Sequence, residues 1–262
     1  MKLEILEKAA RECGELILAI RAKGLHAEDK ENSPQGSHFL TEADTQSQAL
    51  GIQILHRSFP EEIVIAEEQD NLKEVPADCT LFDPVDGTTM FYNRGQDFGV
   101  TLCTLRQSQP VMGAMYFPAD DTMFLCERGR GVTLSGRRLP ELAWERPLDK
   151  TMVGTDIYPW AELNVLKGVL SEGFVIRSLD VAIAGMRAVL LQETGMYYSL
   201  IGPSIWDGAA GAPMVEELGG VACDPWGKPL KWNSLDLDWV IGANQELVDV
   251  VVKHTKNWAG RI

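Results

Sequence analysis

The segment Asp83-Pro84-Val85-Asp86-Gly87-Thr88-Thr89 directly follows the apolar run Thr80-Leu81-Phe82. It places two carboxylates three residues apart at the end of a strand-like run, with a glycine after the second. Carboxylate oxygens suit a hard divalent cation, and backbone N–H groups exposed beside a glycine suit a phosphate. Asp, Pro and Gly are also the commonest turn residues. Taken alone, the segment therefore indicates a metal and phosphate site or an acidic turn equally well.

The chain has 262 residues, enough for one large domain or two smaller joined ones, and 45% of them are hydrophobic. Its 38 acidic and 24 basic residues give a formal net charge of −14. Such a charge disfavours nonspecific binding to nucleic acid and to anionic membranes, so neither is expected as a partner. An acidic cleft would also repel a phosphate substrate unless bound cations neutralised it.

Cysteine usage and the N-terminal segment both indicate a cytoplasmic protein. The five cysteines are scattered and lack CxxC spacing, which favours reduced thiols over disulfides or a zinc site. Residues 1–20 mix acids into their apolar positions and end in no small-residue cleavage site, unlike a secretory signal. No apolar run is long enough to span a bilayer.

The first half of the chain combines helices with an antiparallel sheet. Apolar spacing predicts amphipathic helices over 3–22 and 44–59, the second with Thr41 as its N-cap. Residues 62–66 and 81–83 read as short strands, and residues 97–139 alternate as in an antiparallel meander.

The second half alternates strands with helices, which is an α/β pattern. The strand-like runs are MVGTDI, FVIRSL, MYYSLI, GVACD and WVIGA, and the helix-like ones cover 160–170, 180–193, 206–218 and 244–258. Two prolines near 140–147 mark the change. We therefore divide the chain into an α+β part, residues 1–145, that carries the metal and phosphate site, and an α/β part, residues 146–262, that completes it.

Acidic residues at three further places in the sequence, a Glu pair and two single Asp residues, could join the opening segment. Glu67 and Glu68 end a strand much as Asp83 ends the next, and adjacent strand ends can bring carboxylates to one sheet edge; a solvated acidic turn is the alternative. Asp207 begins a helix rich in Gly and Ala, where an N-cap is the usual role. Asp44 beside Thr41 would by default be a cap or a surface residue.

The joint order of these motifs resembles the inositol monophosphatase family of Mg²⁺-dependent, lithium-sensitive phosphatases. The resemblance covers essentially the whole chain, through FLTEAD, IAEE, DPVDGTTMF, GRGVTLSGRRL, RSLDVA and WDGAAGAPMVEELGG. It implies a layered αβαβα sandwich of the inositol monophosphatase and fructose-1,6-bisphosphatase type, in the mixed α+β and α/β class. It also implies a homodimer and inhibition by lithium.

The resemblance further implies two metal positions in the cleft. Glu67, Asp83 and the backbone carbonyl of Val85 match the ligands of a first ion, and Asp83, Asp86 and Asp207 match those of a second. Oxygen-only ligands suit Mg²⁺, in two or three ions, with Mn²⁺ as the alternative.

The implied catalytic residues are Thr88 and Asp44, a pair that handles the attacking water, together with Glu67. The residues implied to contact the substrate are Asp86, Gly87, Thr88, Ala182, Ser199 and Asp207. The expected reaction is the hydrolysis of a phosphomonoester by metal-activated water.

The chain departs from the inositol-type pattern around the alcohol. Met90 stands where relatives often carry Asn, and Asp180 replaces a common glycine. Ser199 occupies the position of a Glu that holds substrate hydroxyls. These changes leave open which small polar phosphate (inositol, sugar or polyol type) is the substrate.

Two other functions stay open. One is a nucleotide or bisphosphate phosphatase of the same superfamily, of the 3′-phosphoadenosine 5′-phosphate, fructose-1,6-bisphosphate or histidinol-phosphate type. The other is a non-catalytic regulatory relative, although such a protein would be expected to lose at least one metal carboxylate.

Overall fold

The structure, a computed structural model, describes residues 2–25, 27–29, 39–69, 74–157, 163–178 and 180–256. Within these residues the helices are Leu3–Lys23 (α1), Glu42–Ser58 (α2), Thr88–Tyr92 (α3), Leu163–Ser171 (α4), Ala182–Leu190 (α5), Ile205–Ala209 (α6), Gly211–Glu217 (α7) and Gln245–Thr255 (α8), with a 3₁₀ turn at Leu148–Lys150. The strands are Ala27–Asp29 (β1), Phe39–Thr41 (β2), Val64–Ala66 (β3), Cys79–Asp86 (β4), Gly99–Arg106 (β5), Gln109–Phe117 (β6), Thr122–Glu127 (β7), Gly131–Leu134 (β8), Arg137–Arg138 (β9), Met152–Thr155 (β10), Val175–Ser178 (β11), Met196–Ser199 (β12), Val221–Cys223 (β13) and Trp239–Gly242 (β14).

Two sheets organise the described residues, apart from the small β1–β2 pair. The first has the order β3-β4-β5-β6-β7-β8-β9, with β3 and β4 parallel and the rest antiparallel, which confirms the predicted meander. The second has the order β11-β10-β12-β14-β13, with β10 parallel to both of its neighbours. Parallel neighbours place their carboxyl ends at one edge of the sheet, where α/β folds bind ligands.

Alternate residues of each strand feed different cores, because successive side chains point to opposite faces. On β4, Phe82 packs with α1 and α2, whereas Leu81 packs with α5 to α7. On β12, Tyr197 faces that same central helical layer, whereas Tyr198 packs with α4 and α8. The layers therefore run helices, sheet, helices, sheet, helices, and the expected αβαβα sandwich is confirmed.

The central helical layer joins the two halves of the sequence. One continuous core contains strands β4 to β8 from the first half and helices α5 to α7 from the second. The division of the chain at 145/146 stays a prediction. The two parts share one hydrophobic core, so the core does not mark a boundary between them. No helix in the described ranges combines the length and apolarity needed to cross a membrane.

Three local predictions need correction. The predicted helix over 206–218 is two helices, α6 and α7, which meet at Ala210. The predicted strand over 81–83 continues to Asp86. Asp207 was predicted to begin the helix, but it is the third residue of α6, and Ser204 is the N-cap.

The small residues of α6 allow this helix to pack closely on its neighbours. A Cβ at Gly208 would lie 2.9 Å from the Trp239 ring.

Candidate metal and phosphate site

Glu67 and Asp83 lie side by side, Glu67 directly after the end of β3 and Asp83 within the parallel strand β4. Ala66 of β3 pairs with Phe82 of β4, and the Glu67 N–H donates to the Phe82 carbonyl at 3.1 Å. A hydrogen bond also links the Glu67 and Asp83 side chains. The parallel pairing of β3 with β4 therefore brings these carboxylates together, as the sequence predicted, although β4 continues beyond Asp83.

A β-bulge turns Asp86 toward Asp83. Asp83 pairs with Thr101 on β5, whereas Asp86 pairs with Gly99, so three steps on β4 oppose two on β5. Residues an odd number apart on a regular strand face opposite sides, and the extra residue of a bulge removes that constraint. Pro84 suits this irregular stretch because it has no N–H to donate to the ladder.

Gly87 turns the chain from β4 into helix α3. Its φ of 88° and ψ of 39° are left-handed, and a Cβ there would lie 2.8 Å from Val181 Cγ1 and 3.1 Å from the Asp97 carbonyl. Only glycine fits without strain. Because the first N–H groups of a helix lack intrahelical partners, this turn offers the N–H groups of the next residues to an anion beside Asp86.

Thr88 and Asp44 form a buried pair, as expected from the resemblance. Thr88 Oγ1 donates to Asp44 Oδ1 at 3.1 Å and lies at the same distance from the Val85 carbonyl. Asp44 Oδ2 accepts the Thr41 N–H at 2.8 Å and the Thr41 hydroxyl at 2.5 Å, in the capping box of α2. Asp44 is thus a capping residue, as one of the two default interpretations predicted. The other interpretation, a surface position, is wrong, because Asp44 is fully buried.

Asp207 is held by the same device as Asp44. Each is the third residue of its helix, and each accepts the backbone N–H of the N-cap residue; for Asp207 the donor is Ser204, at 2.6 Å. The α6 helix packs on β4 and β5, where Thr101 Oγ1 donates to the Trp206 carbonyl at 3.1 Å. This contact brings Asp207 to the bulged end of β4, and a hydrogen bond links it to Asp83.

Burial and mutual repulsion raise the pKa values of these carboxyls. Burial raises the pKa of Asp83 well above its ordinary range, and the charges of Glu67, Asp86 and Asp207 add to the effect. Burial also raises the pKa of Asp86, as does the charge of Asp207, while the Ile183 N–H, which donates to Asp86 at 2.5 Å, opposes the shift. Burial and the charge of Glu67 raise the pKa of Asp207 to about 7.

The donor set fits Mg²⁺ or Mn²⁺. The ligands offered are carboxylate oxygens and the Val85 carbonyl, and an oxygen-only set is the preference of hard cations. In their present positions no three His, Cys, Asp or Glu side chains of the described residues are grouped closely enough to enclose an ion. Bound cations would compensate the mutual repulsion that raises the pKa values of Asp83 and Asp207.

The opposite wall contains Ala182, Ser199 and an acid that sequence reasoning missed. Ala182 begins α5 next to Ile183, and Ser199 ends β12; both are buried. Ser199 Oγ donates at 2.8 Å to Asp156 Oδ2, just beyond the end of β10. The sequence signal for Asp156 was its place at the end of MVGTD, which parallels Asp83 at the end of its own strand.

A family model described as the inositol monophosphatase family matches residues 2–257. The chain belongs to this family. A curated relative, "Nus factor SuhB" of Escherichia coli strain K12, is 30% identical over 231 residues, which cover 85% of this chain and 84% of that protein.

Solved structures share the fold of this family member. The extragenic suppressor protein suhB of Bartonella henselae superimposes with a TM-score of 0.83 at 24% identity, over 97% of this chain and 98% of that one. An IMPase/NADP phosphatase complexed with Mg²⁺ and phosphate gives a TM-score of 0.80 at 20% identity, over 95% of this chain and 92% of that one. At these identities the likeness establishes the αβαβα fold.

Proposed function

We propose that the chain is a Mg²⁺-dependent phosphomonoesterase acting on a small polar phosphate. One observation carries the proposal: Glu67, Asp83, Asp86 and Asp207 are gathered from three separate elements beside the Gly87 turn. Gathering buried like charges opposes folding unless protons or cations compensate them, and near neutral pH cations are the better compensation. The solved IMPase/NADP phosphatase with Mg²⁺ and phosphate, which shares this fold, supports the choice of ion.

The cations would be held by two overlapping sets of oxygens. Glu67, Asp83 and the Val85 carbonyl would hold one ion, and Asp83, Asp86 and Asp207 the second. When bound, such ions would neutralise the charge of the phosphate and activate the attacking water. The Val85 carbonyl oxygen lies 3.1 Å from Thr88 Oγ1, whose proton is directed to Asp44, so its lone pairs stay open for this role.

The protein's own proton path runs through Thr88. Because Thr88 Oγ1 donates its proton toward Asp44, its lone pairs are free to accept a proton from the attacking water. The carboxylate of Asp44 takes up the proton that Thr88 gives away and becomes neutral, while two bonds from Thr41 keep it in place. The backbone N–H groups of Gly87 and Thr88 bind the phosphate oxygens, and Glu67 assists from the facing strand.

The substrate we favour is an inositol, sugar or polyol monophosphate. One observation supports the nucleotide or bisphosphate alternative: a solved structure with this fold is named an IMPase/NADP phosphatase. That alternative calls for basic residues that can bind a second phosphate. Arg177 and Arg187 are instead engaged with Glu193 at 2.9 Å and with Asp120 at 2.6 Å.

The non-catalytic alternative also rests on a name. Relatives of this chain are called "Nus factor SuhB", and that name states no reaction. Against it stands the retention of every carboxylate of the site together with the Thr88–Asp44 pair. A cytoplasmic location, a homodimer, the absence of nucleic-acid and membrane partners, and lithium inhibition remain predictions.

The direct test is phosphate release from a panel of inositol, sugar, polyol and nucleotide phosphates, with metal-depleted protein before and after Mg²⁺ is added. We expect release from at least one polyol or sugar phosphate with Mg²⁺ and none without it. If no phosphate is released from any compound of the panel with Mg²⁺ present, the proposal is wrong and the non-catalytic alternative is favoured. Release confined to nucleotides would select the second substrate class.

A further inference from the structure

Asp156 lies at the carboxyl ends of two neighbouring strands, where the wall of the cleft differs from the inositol-type pattern. Thr155 of β10 pairs with Tyr198 of β12, so the next residues, Asp156 and Ser199, leave the sheet side by side. Ligands of α/β sheets bind outside the carboxyl ends of the strands. The position is therefore one where a side chain can face a ligand.

The two carboxylate oxygens of Asp156 have different surroundings. Oδ2 accepts hydrogen bonds from the Tyr197 hydroxyl and, at 2.8 Å, from Ser199 Oγ. Oδ1 is buried and, among the described residues, has no donor at full hydrogen-bond geometry, although the Asp180 N–H lies near the carboxylate. A buried carboxylate oxygen without a donor is costly, so such an atom calls for an explanation. A donor on a bound ligand would supply one.

The second departure from the inositol-type pattern belongs to the same network. Asp180 has a left-handed φ of 52°, and its Oδ1 accepts the Ile157 N–H and the Ser178 hydroxyl, both at 2.8 Å. These bonds tie the end of β11 to the residue after Asp156. Ser199 therefore contacts the Asp156 carboxylate directly, and Asp180 holds the residue that follows Asp156.

Asp156 lies close enough to the proposed metal ligands for its charge to be felt by them. Its charge acts on both Asp86 and Asp207. Asp156 is half-buried, and hence more exposed than Asp83 or Asp86. Oδ1 itself is covered in this structure, so a ligand donor can reach it only if the surrounding side chains move.

We infer that Asp156 is the acidic group of the alcohol pocket, replacing from β10 the carboxylate that Ser199 no longer supplies from β12. The inference rests on the proposed phosphomonoesterase activity and deepens it. It assigns the substrate to phosphomonoesters whose alcohol carries a second hydrogen-bond donor, a hydroxyl or an ammonium, that binds Oδ1. An alcohol without such a donor leaves Oδ1 unpaired and is selected against.

Two matched substrate pairs test this assignment with the full-length protein and Mg²⁺. Glycerol 2-phosphate is compared with isopropyl phosphate, and phosphoethanolamine with ethyl phosphate, so that each pair differs in the donor. We expect kcat/KM to favour the donor-bearing member of at least one pair by about 10-fold or more. Which pair shows the preference identifies the donor as hydroxyl or ammonium.

Asp156→Asn replaces the free acceptor with an amide while keeping the side-chain shape. We expect the preference to fall by about 10-fold in an ammonium pair, because an ammonium can only donate, and by less in a hydroxyl pair, because a hydroxyl can also accept. Adding Ser199→Glu to Asp156→Asn returns a carboxylate from the neighbouring strand, and we expect it to restore the preference. Asp149→Asn, at an exposed acid away from the cleft, is the matched control.

Ser199→Ala keeps the Asp156 carboxylate and provides a second test in case Asp156→Asn folds poorly. We expect this variant to retain the preference, whatever its overall kcat/KM, because the carboxylate and its hydrogen bond from Tyr197 both remain. Equal losses of kcat/KM for both members of a pair in Asp156→Asn, or loss of the preference in Ser199→Ala, would overturn the assignment. A wild-type protein that hydrolyses both members of each pair equally overturns the assignment alone. One that hydrolyses no phosphate in the panel overturns the proposed function and the assignment with it.

Discussion

The two walls of the cleft differ in how they hold their acids. On the phosphate wall, Asp44 and Asp207 are fixed by the backbone at helix starts, and Asp83 and Asp86 by a bulged strand. On the alcohol wall, Asp156 is held by side-chain hydroxyls from the next strand. Backbone-held acids retain their places whatever their neighbours are, whereas a side-chain network can be rebuilt by single substitutions. This difference gives a physical reason why the sequence keeps the family motifs around Asp83, Asp86 and Asp207 and departs from them at Asp180 and Ser199.

The largest effect should come from breaking the phosphate wall at its shared ligand. Asp83→Asn removes a charge that both proposed ions use, and we expect kcat to fall by about 10³-fold or more. Phosphate release at saturating Mg²⁺ measures the change, with Asp149→Asn as the control of equal chemistry at an exposed site. Activity within a few-fold of wild type would remove Asp83 from the site.

Thr88→Val should have the next largest effect. The variant keeps the shape of the side chain but removes the hydroxyl that joins the water to Asp44, so we expect kcat to fall by about 10²-fold or more with little change in KM. Thr88→Ser keeps the hydroxyl and should retain most of the activity. If the valine and serine variants are equally active, Thr88 has no part in proton transfer.

The phosphate wall was more predictable from the sequence than the alcohol wall. Glu67 and Asp83 end consecutive strand-like runs, so their meeting needed only parallel pairing of neighbouring strands. The Thr88–Asp44 contact spans 44 residues and followed from the family resemblance, because periodicity carries no information about such a distance.

The features that were missed depend on tertiary packing. The break at Ala210 escaped prediction because Gly and Ala are compatible with one continuous helix, and the fit of Gly208 against Trp239 is set by another element. Asp156 is one of 38 acidic residues, and only its pairing with β12 sets it apart.

Gly87→Ala should have a smaller effect on stability and activity together. A left-handed alanine costs roughly 1–2 kcal/mol, and the new Cβ would also meet Val181 and the Asp97 carbonyl. Gly136→Ala is the matched control, since Gly136 has a φ of 82° but nothing within 4 Å of an added Cβ. We expect Gly87→Ala to lower both Tm and kcat more than the control does. Equal losses in the two variants would show that the Gly87 turn tolerates a side chain.

The smallest expected effect is the pH dependence of stability. Asp207 and Asp156 have pKa values raised from 3.8 to about 7 and about 6, chiefly by burial. Carboxyls with raised pKa values stabilise the fold while protonated, so the metal-free protein should lose this contribution as pH rises from about 4 through 7. Mg²⁺ should therefore raise Tm by about 5 °C near pH 8 and by about 2 °C or less near pH 5.5.

Thermal unfolding with and without Mg²⁺ at the two pH values measures this effect. Asp83→Asn should show a smaller Mg²⁺ shift at both. A shift in the wild-type protein that is larger at the acid pH would contradict the electrostatic account.

The central claim is that the carboxylates of the phosphate wall form a divalent cation site. Titration of Mn²⁺ into metal-depleted protein, followed by the electron paramagnetic resonance signal of the free ion, tests it without assuming a substrate. The account predicts that wild type and Asp149→Asn bind Mn²⁺ and that Asp83→Asn binds it far more weakly. Equal binding by all three proteins, or no binding by the wild type, would contradict it.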